Sequence, residues 1–97
     1  MSAEHDAIAD RLAKKFRAKH YRTGFDVRKH DLVIEVALSE QQIRESVKKL
    51  KGSKVKRRYV AVRHEEIDKA TKLARGTGVG VMNMLGEIRK RTKRCYK

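Results

Sequence analysis

The chain has one cysteine, Cys95, no proline and no tryptophan. A lone cysteine excludes an intramolecular disulfide and any zinc site built on several thiolates. Aromatic residues make up only 5% of the chain, so the core must come mostly from Val, Ile, Leu and Ala. No apolar run approaches the roughly 20 residues of a membrane-spanning helix. The stretch from Met1 to Ala9 carries Glu4 and Asp6 and has no apolar run, so it does not read as a secretory signal. Together these absences predict a cytoplasmic, reducing setting and no membrane partner. Acids are scarce too: 12 Asp and Glu stand against 26 Lys and Arg, a formal net charge of +14.

A charge of that size repels itself in the folded state and favours a polyanionic partner. Nucleic acid, DNA or RNA, is the expected partner, bound with the steep salt dependence that counterion release produces. An RNA- or ribosome-associated structural role is a third class consistent with charge alone. With 97 residues, 39% of them apolar, the chain has room for one compact domain.

Between Ala3 and Lys19, Ile8, Leu12 and Phe16 recur every fourth residue with Ala9 and Ala13 beside them, the apolar stripe of an amphipathic helix. Thr23-Gly24 marks a turn; Phe25–Lys29 and Asp31–Leu38 read as strands, the second rich in β-branched Val33, Ile34 and Val36. Ser39 and Gln42 form a capping-box pattern ahead of Ile43, Val47 and Leu50, and Gly52 ends that helix. Val55–Arg63 predicts a third strand, Glu65–Arg75 a third helix and Val79–Leu85 a fourth strand. Met82 and Met84 read as core filler and Gly76–Gly80 as a turn. The order predicts an α/β fold, a mixed sheet of about four strands flanked by three helices in one domain over residues 1–86. Residues 87–97 read as a basic tail, disordered until it meets a partner.

Asp26 and Glu35 fall on adjacent predicted strands. Glu35 shares a face with Ala37, while Ile34, Val36 and Leu38 share the other, so the apolar face is expected on helices and the Glu35 face in a cleft. Two carboxylates brought together with water and a phosphate oxygen make an ordinary Mg²⁺ site. The plain alternative is a pair of polar residues on the solvated face of an edge hairpin. The four histidines lack paired ligand spacing; His30, lying between the two acids in sequence, is the one to watch.

At these residues the chain resembles the restriction-endonuclease-like, PD-(D/E)xK nuclease superfamily in its small archaeal-style members. Phe25-Asp26 followed by Glu35-Val36-Ala37 matches an acid, a short gap and an E-x-K on a central strand, and the layout from about Ala3 to Leu85 is similar. The resemblance implies a restriction-endonuclease-like fold and Mg²⁺-dependent hydrolysis of DNA or RNA, with Asp26 and Glu35 as metal ligands. It also implies an acid on the first helix, for which Glu4 is the first candidate, ahead of Asp6 and Asp10. Small members often pair to span a duplex, so the resemblance allows a homodimer, while the residues themselves do not fix the oligomeric state. Phe25 stands where the pattern prefers Pro, and Ala37 where it has its lysine. Alanine can neither position water nor stabilise charge. Either a lysine has moved, with Lys48 taken as the catalytic candidate and Lys49 or Lys56 as others, or the chain is an inactive relative that only binds, or it is a disabled variant.

The basic clusters are the expected phosphate contacts: Arg22, Arg28 and Lys29 beside the acids, then Lys54, Lys56, Arg57 and Arg58, then Arg89, Lys90, Arg91, Lys93 and Arg94.

Overall fold

A computed structural model describes residues 3–21, 24–87 and 89–90, with Arg89 described by its backbone alone. The first helix, α1 (Ala3–Lys15), buries Ile8, Ala9, Leu12 and Ala13, the stripe that its spacing predicts. It stops four residues short of Lys19 because Arg17 turns left-handed, at φ 54, and the Ala18 N–H donates to the Ala13 carbonyl at 2.8 Å. That is a Schellman-type cap, usually built on glycine. The freed residues form a two-residue strand, β1 (Lys19–His20).

Two antiparallel strands follow, β2 (Val27–Lys29) and β3 (Leu32–Val36), paired Val27 to Ile34 and Lys29 to Leu32. The next helix, α2 (Glu40–Lys51), starts as its sequence predicts. Ser39 Oγ accepts from the Gln42 N–H at 3.2 Å, and Gln42 Oε1 accepts from the Leu38 N–H at 2.8 Å. Beyond Gly52, β4 (Arg57–Val62) pairs parallel to β3. A 3₁₀ turn at His64–Glu66 leads into α3 (Ile67–Ala74), and β5 (Gly80–Asn83) pairs parallel to β4.

Among the described residues the strands form one mixed sheet of six in the order β1-β2-β3-β4-β5-β6, with β6 (Arg89–Lys90) antiparallel to β5. The two strands beyond the expected four are edge pieces of two residues each, too short to show a period. The expected tail boundary at residue 86 is therefore placed too early, since residues 89 and 90 belong to the sheet. The remaining tail, 91–97, lies outside the described residues.

Both faces of the sheet are covered. Leu32, Ile34, Val36, Tyr59, Ala61 and Met82 pack with α1 in one core. Val33, Ala37, Val60, Val62, Val79 and Val81 pack with α2 and α3 in the other. Two successive crossovers stepping the same way along a sheet, both right-handed, leave their helices on one face. Only α1, which precedes the sheet, is left to cover the opposite side. No helix among the described residues is long and apolar enough to cross a membrane.

Arg17 holds its left-handed backbone against the clash of its own Cβ, a penalty glycine escapes. Arg17→Gly should therefore stabilise the domain by about 0.5–1 kcal/mol and raise Tm by several degrees in a thermal unfolding scan.

Candidate functional site

The antiparallel register of β2 and β3, carried one step past Val27 and Ile34, sets Asp26 opposite Glu35. Residues opposite one another in such a pair present their side chains to the same face. The two acids are 6% and 7% exposed. The Asp26 N–H donates to Glu35 Oε1 at 3.3 Å, and Asp26 Oδ2 accepts from the Val36 N–H at 2.9 Å. Each carboxylate thus ties itself to the neighbouring strand's backbone where the β2–β3 ladder ends.

The two acids line a cleft of about 430 Å³ with His5, Gly24, Ser46 and Lys49. It opens beyond the carboxyl end of β3, between the first turn of α1 and the face of α2. In open α/β sheets ligands bind in crevices at that end of the strands. The whole Glu35 face does not open into this cleft, as the alternation predicted, because Val33 and Ala37 on that face lie buried under α2. Only the end of the strand reaches it.

Two basic side chains meet the acids. Lys49 Nζ donates to Glu35 Oε1 at 3.0 Å and to the Gly24 carbonyl, and sits 5.0 Å from the centre of the Phe25 ring. His5 Nε2 lies 3.2 Å from both Asp26 Oδ2 and the Val36 carbonyl. Neither oxygen can donate, so the proton is assigned to Nε2, which serves both. Burial, reinforced by the neighbouring Asp26 charge, raises the Glu35 pKa above its usual 4.5, and Lys49 only partly offsets this.

The expected ligand Glu4 is not in the cleft. Its Oε1 pairs with Arg63 Nη2 at 3.1 Å on the surface. His5 holds the α1 position facing Asp26 instead, and helical geometry gives the reason. At roughly 100° per residue, His5 projects within about 10° of the centre of the buried stripe, whereas Glu4 projects about 110° away. The i+4 spacing from Glu4 to Ile8 drew attention to the wrong residue, while His5 stands three, four and seven before Ile8, Ala9 and Leu12. Lys48 is likewise exposed and outside the cleft, and its neighbour Lys49 reaches Glu35. His30 is exposed in the turn joining β2 to β3, at the opposite end of the hairpin from the acids.

The basic runs are partly engaged inside the molecule. Arg58 donates to the carbonyls of Leu50, Lys51, Ser53 and Gly78, bracing the end of α2. Arg57 pairs with Asp31 at 2.8 Å and Lys90 with Asp68 at 3.1 Å. Arg28 stacks over Tyr21, and Lys29 donates to the Phe16 carbonyl. Lys54 and Lys56 are exposed. Arg22, Arg91, Lys93, Arg94 and the side chain of Arg89 lie outside the described residues.

No group of three or more His, Cys, Asp and Glu suited to a metal ion occurs among the described residues. Mg²⁺ does not require one, since it binds through one or two carboxylates and completes its shell with water and phosphate oxygens. Asp26 Oδ1 and Glu35 Oε2 accept no hydrogen bond among the described residues, so the pair fits such an ion.

The raised Glu35 pKa has a stability consequence of known sign. The folded chain holds this proton more tightly than the unfolded chain, so the contribution is full below about pH 4.5 and is lost as pH rises through the folded value. Glu35→Gln should unfold at nearly the wild-type temperature in acid and above it at neutral pH. Tm measured from pH 4 to 8 checks this, and the gap should widen with pH. Comparison of the chain with protein-family models, curated proteins and solved structures returned no match.

Proposed function

We propose that this protein binds nucleic acid and hydrolyses phosphodiester bonds in the Asp26–Glu35 cleft with the help of a divalent cation, Mg²⁺ in the first instance. The observation that carries the reading is the pair of adjacent buried carboxylates, one touched by a lysine, in a chain of net charge +14. A strongly basic chain attracts polyanions, and a buried acidic pair inside it is a specific exception to that charge. The helix-first order, the antiparallel β1-β2-β3 run and the parallel β4 reached through α2 are compatible with a restriction-endonuclease-like fold.

Asp26 and Glu35 would hold the cation, which when bound lowers the pKa of water and offsets charge on a phosphoryl oxygen. Lys49 takes the part expected of Lys48. Its ammonium is placed to orient a water beside Glu35 and to balance charge building on a phosphate, and the Gly24 carbonyl and Phe25 ring fix its position. His5 does not touch the reacting atoms in this reading; it positions the Asp26 carboxylate. Exposed lysines such as Lys54 and Lys56 grip the backbone without reading sequence.

Ala37 and the Lys49–Glu35 pair favour a second reading. A carboxylate already matched by a lysine needs no metal, and the chain then binds nucleic acid without cutting it.

Digestion of plasmid DNA, a branched DNA and a structured RNA with Mg²⁺ or Mn²⁺ separates the two. Asp26→Ala and Glu35→Ala should abolish cleavage, and Lys49→Met should slow it by about 100-fold, the scale of one positioned charge or proton donor. Asp26→Ala and Glu35→Ala should bind as tightly as the wild type or more so, and Lys49→Met, which loses one cation, slightly less tightly. Absence of cleavage by the wild type on every substrate, with binding intact, leaves the second reading.

A further inference from the structure

A second cleft, of about 440 Å³, lies at the other end of the sheet, where β4 and β5 begin. Its walls are Lys56, Arg57 and Arg58 against a single acid, Asp31, with the Tyr59 ring and Gly80 as floor. Gly80 makes room for that floor. A Cβ there would stand 2.5 Å from Tyr59 Cε1, so any larger residue would push the ring out of its place. Three cations and one carboxylate line the cleft, and of the three Arg57 pairs with the carboxylate. Arg58 is held by backbone carbonyls and contributes fixed charge, whereas Lys56 is exposed.

Asp31 is the informative residue. Its Oδ1 accepts from Arg57 Nη2 at 2.8 Å, and that bond, the largest cause, lowers its pKa. Arg57 Nε is buried and has no hydrogen-bond partner among the described residues. A guanidinium presents its donors as a fork, and phosphate oxygens can engage two of them at once. Asp31 Oδ1 engages one in the structure.

We propose that this cleft is a phosphate-binding site, with Lys56 and Arg57 as its ligands and Asp31 as a built-in competitor that an incoming phosphate displaces from Arg57. The site does not depend on the acidic cleft, which lies roughly 13 Å away along β3 at about 3.3 Å per residue. The same chemistry serves free phosphate and a nucleic-acid backbone phosphate, and the two sources are separable.

The test titrates inorganic phosphate, and separately a single-stranded oligonucleotide, into ¹⁵N-labelled full-length protein at low salt. The wild type, Asp31→Asn and Lys56→Glu are compared, and the amide spectra report both binding and folding. Phosphate should shift the amides of Lys56, Arg57, Gly78 and Gly80. Asp31→Asn should tighten phosphate binding about fivefold, the scale of one exposed ion pair, and Lys56→Glu should weaken it by a similar factor. If the polymer uses the site, Asp31→Asn tightens oligonucleotide binding as well, and Lys56→Glu lowers its salt slope by about 1. Response in the phosphate arm alone assigns the cleft to free phosphate. Affinities unchanged by both variants in both arms, with native-like spectra, overturn the proposal. Because Asp31→Asn is expected to gain affinity, damage to the fold cannot imitate success.

Discussion

A carboxylate on a strand covered on both faces has to find compensation, because burying an isolated charge is costly. Glu35 is the one charged residue of β3, and all five positions of that strand are buried. Its compensation comes from three places: the Asp26 N–H across the hairpin, the Lys49 ammonium from α2, and a position where the strand runs out into a cleft. Each partner brings a further element with it. Asp26 carries the end of β2 and the contact to His5 on α1. Lys49 carries the face of α2 and the Gly24–Phe25 turn. One buried acid therefore links both layers of helices to the end of the central strand. The link is incomplete, and the raised Glu35 pKa is the sign of what it leaves unmet.

That shortfall bears directly on the proposed chemistry. A site that stabilised both carboxylates fully through protein contacts would have little affinity for a cation. Here two oxygens remain without hydrogen bonds among the described residues, inside a cleft where Lys49 pairs with Glu35 alone of the two acids. Stability left unclaimed at a functional site is a common trade. The contrast with Asp31 is instructive. That acid is more exposed and well matched to Arg57, its pKa is lowered, and it sits in a cleft where cations are in excess. The two clefts occupy opposite ends of the same parallel strands and carry opposite local charge in a strongly basic molecule.

Net charge overstates the surface available to a polyanion. Arg57, Arg58, Arg63 and Lys90 all have partners within the molecule, and Arg58 in particular works as a backbone brace. A run such as Lys54, Lys56, Arg57 and Arg58 looks uniform in sequence because charge is its only visible property. Lys56 lies in the bend before β4 and is exposed, while Arg57 and Arg58, which open the strand on opposite faces, each meet acceptors of their own.

Local physics was enough to specify much of this protein from its residues alone. The β-branched run of Val33, Ile34 and Val36 dictates a strand, Ser39 with Gln42 dictates a helix start, and the spacing of Ile8, Ala9, Leu12 and Ala13 dictates the buried face of α1. Each depends on neighbours no more than about four residues apart. The hairpin that sets Asp26 against Glu35 is nearly as local, and so was legible too. Tertiary structure alone decided which basic and titratable side chains meet those acids. His5 stands 31 residues from the carbonyl it touches, and Lys49 stands 14 from Glu35. Helix packing fixes those meetings through rotations of a fraction of a turn. The spacing of His5 from Ile8, Ala9 and Leu12 marks the face of α1 that it shares. Which strand end that face meets is settled by packing, as is the meeting of Lys49 rather than Lys48 with Glu35. The two-residue edge strands were out of reach for the same reason, since β1 and β6 exist only because a neighbouring strand offers them unpaired N–H and C=O groups.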